Sequence, residues 1–165
     1  MDPAAPEAGK DYREVVDWPL WFHLLFAAVV LFALWGAVQA LVDSEPGWLA
    51  PFLGLTALTM AGVWCYFRHL VVEAGPDGIG YGFGRIRRRV PRERISALEA
   101  ERYSVVRYMG WGYRIGWGKG DRAYSVIGCR RGLRLHFTDE RGKEWHVFLS
   151  CRDPEAAIAA YALPH

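Results

Sequence analysis

The chain has 165 residues, 52% hydrophobic and 23% charged, with 20 basic and 18 acidic residues and a formal net charge of +2. Those averages describe an ordinary globular domain, yet between Trp18 and Phe67 the only formal charges are Asp43 and Glu45, so the averages hide a segregated apolar region. Three scattered cysteines, Cys65, Cys129 and Cys151, without C-x-x-C spacing, argue against a disulfide framework and against a zinc site.

Residues 1–17 carry Lys10 and Arg13 against five carboxylates and form a short acidic leader, expected to be cytoplasmic. Two runs follow. Trp18 to Val42 has only His23 and Gln39 as notably polar side chains, and Trp48 to Phe67 has no charge. Each matches the roughly 20 apolar residues that cross a hydrocarbon core of about 30 Å. Both are apolar on every face, which a soluble domain of this size could not cover. The intervening Asp43–Gly47 predicts antiparallel neighbours joined by a tight turn.

Small residues recur at helical spacing on both runs: Ala33, Gly36, Ala37 and Ala40 on the first, and Ala50, Gly54, Ala57 and Ala61 on the second. Such stripes let helix backbones approach in lipid. Aromatic rings gather at the ends, with Trp18, Trp21, Phe22, Trp64, Tyr66 and Phe67 at one interface and Trp48 at the other. Basic residues flank the pair and are missing from the turn, so the expected location is the cell (inner or plasma) membrane, multi-pass, with both termini cytoplasmic. A secretory signal is excluded by the acidic leader and by the length of the first run.

From Arg68 onward lie 18 of the 20 basic residues and 11 of the 18 acidic ones. The hydrophobic period shortens and turn residues recur, predicting strands at 70–74, 79–83, 85–90, 95–105, 123–127, 133–138 and 144–149. The first two join across Gly75-Pro76-Asp77-Gly78, and the last two across Glu140-Arg141-Gly142. In that last hairpin Leu133, Leu135, Phe137, Trp145, Val147 and Leu149 form the expected core face. Asp153-Pro154-Glu155 then opens a short helix over 156–163, with Asp as cap and Pro at the first helical position.

Two spans, a strand pair across Gly-Pro-Asp-Gly, the segment VPRERISALEAERY, the segment YMGWGYRIGWGKG and a last strand leading into RDPEAAIAAY together resemble bacterial pleckstrin-homology-like (PH-like) membrane proteins. The resemblance covers nearly the whole chain. It implies an α+β membrane protein, with a two-helix transmembrane hairpin at 18–67 and a cytoplasmic bent antiparallel sheet or barrel at 68–165, plugged by the C-terminal helix. PH domains that grip phosphoinositides carry Lys and Arg around the first hairpin loop, and Gly75–Gly78 has none, which counts against specific phosphoinositide recognition.

Three clusters are candidates for contact. Arg85, Arg87, Arg88, Arg89, Arg92 and Arg94 form a basic run suited to anionic headgroups, at about 1 kcal/mol per residue near the surface, or simply to orienting the spans. The loop 109–120 offers Trp111, Tyr113, Trp117 and Lys119 to the membrane interface or to a protein partner; alternatively its aromatics pack on the barrel. Its glycines do not match G-x-G-x-x-G or the Walker pattern. His136 and His146 fall opposite each other, two ligands where a metal needs three or four. Ser104, Ser125 and Ser150 lack a nucleophile-elbow context, so no catalytic residue, metal, cofactor or small-molecule substrate is expected, and no nucleic acid. The expected role is a non-enzymatic membrane-anchored module that presents a protein-interaction surface with anionic-lipid contact. The alternatives are a homo-oligomeric scaffold assembled through the small-residue faces, and an accessory subunit of a membrane enzyme or transporter.

Overall fold

The computed structural model describes residues 11–43 and 46–162. The start of the leader, the centre of the acidic turn and the expected end of the last helix at Leu163 lie outside them. The chain is α+β and divides into two units, one at Trp18–Arg68 and the other made of the flanking segments.

The first unit is a helical hairpin, α1 (Leu20–Val42) and α2 (Leu49–Phe67). At 1.5 Å per residue these are about 34 and 28 Å long, enough to cross a membrane, and neither contains a charge. Large side chains turn outward: Leu20, Trp21, Leu24, Phe32, Trp35, Leu41, Phe52, Leu55 and Leu58 are all more than half exposed. Hydroxyls that would be costly in an apolar setting are satisfied inside the helix, with Thr56 Oγ1 donating to Phe52 O and Thr59 Oγ1 to Leu55 O, both at 2.8 Å. The open end is closed by Trp18, which stacks on Phe22 at 4.5 Å and donates from Nε1 to Phe67 O at 2.7 Å.

The second unit contains two sheets. The four-stranded one runs β1 (Tyr12–Asp17), β2 (His69–Gly75), β3 (Gly78–Phe83), β4 (Arg88–Pro91), all antiparallel. The five-stranded one has the order β5 (Ile95–Arg102), β8 (Arg131–Thr138), β9 (Glu144–Ser150), β7 (Asp121–Ser125), β6 (Gly112–Ile115). The β8–β9 hairpin inserts between β5 and β7, which makes β7 and β9 parallel where an all-antiparallel sheet was expected. Leu70, Val72, Ile79, Tyr81, Leu133, Leu135, Val147 and Leu149 are buried. The C-terminal helix α4 (Pro154–Ala162) contacts β1, β2, β5 and β8, buries Pro154, Ala157 and Ala160, and is capped by Asp153, whose Oδ1 accepts from Ala156 N at 2.9 Å.

Several expectations change. Strand β1 lies in the acidic leader, where no strand was expected; its pairing with β2, from Tyr12↔Ala74 to Asp17↔His69, is set by a partner more than fifty residues away. Its period is two, with Tyr12, Glu14 and Val16 turned inward. The strand expected at 85–90 starts only at Arg88, because Ile86 N donates to Phe83 O and makes a turn. The strand expected at 95–105 stops at Arg102, where Ser104 instead caps a short helix α3 (Val105–Tyr108), its Oγ accepting from Arg107 N at 3.3 Å. The core face of the last hairpin is also narrower than expected, since Phe137 and Trp145 are only half-buried. On the opposite face, outside the expected core, Arg134 and Phe148 are buried.

Candidate functional site

Cross-strand register places Glu99, Arg134, Phe148 and Ala123 in one row across the outer face of the five-stranded sheet. Helix α3 and the residues after it cover that row. Tyr103, Tyr108, Ala123 and Phe148 form a small second core, with Trp111 packed against it. Tyr103 is its centre, stacking on Trp111 at 4.6 Å and on Tyr108 at 5.3 Å, and meeting Phe148 at 5.1 Å. Its hydroxyl donates to Gly110 O.

Beside this core sits a buried charged node. Asp121 is 1% exposed. Its Oδ1 accepts from Tyr108 Oη and from Arg134 Nη2, both at 2.9 Å, and its Oδ2 accepts from Arg107 Nε at 2.7 Å. Arg134 also donates to Tyr108 Oη. Glu101 lies 3.6 Å from Arg134 Nε and 3.8 Å from Arg107 Nη1. Two guanidinium groups thus meet two carboxyls, so the node brings no net charge into a low-dielectric site. Burial pushes the Tyr108 hydroxyl up to about 12, Arg134 pulling against that rise and Asp121 adding to it. Burial works against the charge on Arg107 too, but its hydrogen bond to Asp121 prevails and holds its pKa above the ordinary value.

The glycine-rich loop is built around the same carboxyl. A Cβ at Gly116 would lie 2.2 Å from Asp121 Oδ2, so only glycine fits there. Gly116 N donates to Asp121 O, and Asp121 N to Gly118 O. On this foundation the outer side chains stand clear: Val106 is 80% exposed, Trp117 79%, Met109 74% and Ile115 63%. Met109, at the end of α3, has φ 52°, a left-handed conformation that a side chain disfavours. We refer to these four side chains as the crest.

The loop residues singled out from sequence therefore divide. Trp111 is packing, Tyr113 is half-exposed and rests on Tyr124 at 5.1 Å, and Trp117 and Lys119 project into solvent. The arginine run is dispersed. Arg87 pairs with Glu73 at 3.1 Å, Arg89 with Asp77 at 3.3 Å and Arg94 with Glu140 at 3.1 Å. Arg92 clamps α4, donating to Tyr161 O at 2.5 Å and lying 4.6 Å over its ring. Arg85 and Arg88 are exposed. Of the eight small span residues, Ala40, Ala50 and Ala57 are buried and Ala33, Gly36, Ala37, Gly54 and Ala61 are intermediate, with open space where a Cβ at Gly54 would stand. A Cβ at Gly36 would touch Leu53 at 3.3 Å. His23 Nδ1 accepts from Trp64 Nε1 at 2.9 Å, tying the two helices together.

His136 and His146 face each other with Nδ1 atoms 2.7 Å apart, so one must donate and the other accept. Burial, then His146, then Arg134 hold the pKa of His136 below its usual value. Among the described residues no group of three His, Cys, Asp or Glu is placed to hold a metal. A cavity of about 290 Å³ lies at the β1–β4 sheet, lined by Tyr12, Arg13, Glu73, Asp77 and Arg89 among others, with Arg13 and Arg89 already paired to its carboxyls.

The buried node was not legible because Asp121 falls ahead of the strand expected at 123–127, and Arg134 occupies a polar position on the face of its strand opposite the expected core. The signal present was Phe148, an aromatic out of phase with its strand. Comparison of the chain with protein-family models, with curated proteins and with solved structures found no match.

Proposed function

We propose that the chain is a non-enzymatic module anchored in the cell membrane by its helical hairpin, with a PH-like two-sheet domain and both termini in the cytoplasm, and that the crest is its contact surface. The observation that carries this reading is the crest itself: large apolar side chains held out in solvent by a buried ion node and an aromatic core. A surface of this kind on a soluble domain is ordinarily covered by a partner. The hairpin supports the anchor, since its outward faces are apolar along their whole length and would be stable in lipid. The capping of the sheets by α4 supports the PH-like architecture, and the parallel β7–β9 pair is a departure from it.

The scaffold alternative draws less support. Three of the eight small residues, Ala40, Ala50 and Ala57, are already covered within the hairpin, and bulky side chains make up most of what faces out. The basic residues Arg85 and Arg88, exposed beside the ion-paired Arg87, Arg89 and Arg94, remain available for anionic headgroups. Alkaline carbonate extraction of expressing membranes tests the anchor. The chain is expected in the pellet, and release into the supernatant would overturn the reading.

A further inference from the structure

The crest is apolar, and its charge is one-sided. From Arg102 to Gly120 there is no Asp or Glu, while Arg102, Arg107, Arg114 and Lys119 are basic. The carboxylate that ends this stretch, Asp121, is buried and bonded to Arg107, Tyr108 and Arg134. Arg114 is exposed, with its Nε donating to Trp111 O at 2.9 Å, and Lys119 is exposed two residues after Trp117. The surface therefore combines an indole, a thioether and two aliphatic side chains with positive charge; the carboxylates that border it are Glu101, part-buried and paired to Arg107 and Arg134, and the exposed Glu144 of β9.

That combination matches the headgroup layer of an anionic bilayer. Tryptophan prefers the interface, aliphatic side chains enter the acyl boundary, and Lys and Arg meet anionic lipid. We propose that the crest, Val106, Met109, Ile115 and Trp117 with Lys119, seats in an anionic bilayer surface as a second membrane contact, separate from the helical hairpin. The proposal rests on the membrane-anchored reading above and names the crest's partner. Permanent attachment to a bilayer gives lipid a high local concentration, so a small apolar surface suffices where a free domain would need a larger one.

Met109 carries a further argument. Its left-handed backbone would be relaxed by glycine, yet the chain places there a side chain that is 74% exposed. Inside the folded unit that side chain has little to pack on, so its value lies in what it meets outside.

The test uses the full chain in nanodiscs, with an environment-sensitive fluorophore on Val106→Cys in a Cys65→Ser background. Burial raises the pKa of the two remaining thiols, Cys129 and Cys151, and slows their labelling. A probe at Arg141→Cys, in the exposed β8–β9 turn, is the reference. In discs containing phosphatidylserine, emission at 106 should shift to the blue and be quenched by nitroxide lipids, with little change at 141 and little at 106 in purely zwitterionic discs.

Lys119→Glu should lower the seated-to-free ratio about fivefold or more, the equivalent of ~1 kcal/mol per basic residue at an anionic surface. Met109→Gly should lower it as well while the fold persists, which the thermal transition checks. A probe at 106 that stays in water in anionic discs overturns the proposal. So does a blue shift that follows the protein-to-lipid ratio and ignores lipid charge, which would assign the crest to a second copy of the chain. Carbonate extraction of the same protein separates the two readings: an anchored chain with a wet crest loses only this proposal, and an extractable chain loses the anchor.

Discussion

The arginine run of β4 and the crest above β6 are two basic surfaces of one folded unit, built in opposite ways. In the run, apart from Arg92 on α4, the cations lie at the surface and three of them meet carboxylates one at a time: Arg87 with Glu73, Arg89 with Asp77, Arg94 with Glu140. At the crest, two arginines are drawn down to Asp121 and Glu101, and apolar side chains are left outside. Charge density along a sequence therefore says little about where a protein invests structure. The denser cluster is loosely held, and the sparser one is locked.

The comparison breaks most directly at Asp121. Asp121→Asn takes from buried Arg134 its nearer carboxylate and leaves it Glu101 at 3.6 Å, and breaking a buried pair in this way costs about 3–5 kcal/mol. Chemical denaturation should show a loss of that order, together with faster amide exchange over 103–120. Gly116→Ala attacks the same node sterically, since the added methyl would lie 2.2 Å from Asp121 Oδ2, and about 1–3 kcal/mol is expected from overpacking. Both changes should loosen the crest and leave β4 unaffected.

Legibility in the sequence followed the same division. The hairpin of α1 and α2 was legible because hydropathy is a sum over some twenty residues, and the turns at Gly75–Gly78 and Glu140–Gly142 because glycine and proline punctuate strands locally. Strand β1 was not, because Tyr12–Asp17 becomes a strand only by pairing with His69–Ala74. Nor was α3, a single turn whose one signal is the Ser104 cap. Asp121 and Arg134 lie in different strands with β9 between them, and sequence spacing carries no trace of their meeting. Of the site residues, Trp117 and Lys119 were singled out from sequence, which left open whether the loop packs or projects, while Val106, Met109 and Ile115 became part of the surface only once α3 and β6 were placed.

A smaller effect is expected from pH. The pKa of His136 is lower in the folded chain than its ordinary 6.5, so the unfolded chain takes up the extra proton first. Its stabilising contribution is complete above pH 6.5 and is lost as pH falls through that value toward the folded pKa. A thermal scan should give a lower Tm at pH 5.5 than at pH 7.5, and His136→Gln should flatten that part of the profile. The smallest effect belongs to the arginine run: Arg94→Ala, which removes the pair with Glu140, should change stability by about 0–1 kcal/mol. A loss as large as that of Asp121→Asn would erase the contrast between the two surfaces.

The central claim is that the hairpin crosses a membrane and holds the two-sheet unit on its cytoplasmic side. Cysteines at Asp43, Arg13 and Arg141, introduced one at a time with Cys65→Ser so that only the half-buried Cys129 and the buried Cys151 remain beside them, and labelled in intact cells by an impermeant maleimide, test it most directly. The account predicts labelling at 43 alone, with 13 and 141 reacting only after the membrane is opened. Labelling of 13 or 141 in intact cells, or protection of 43, would contradict it.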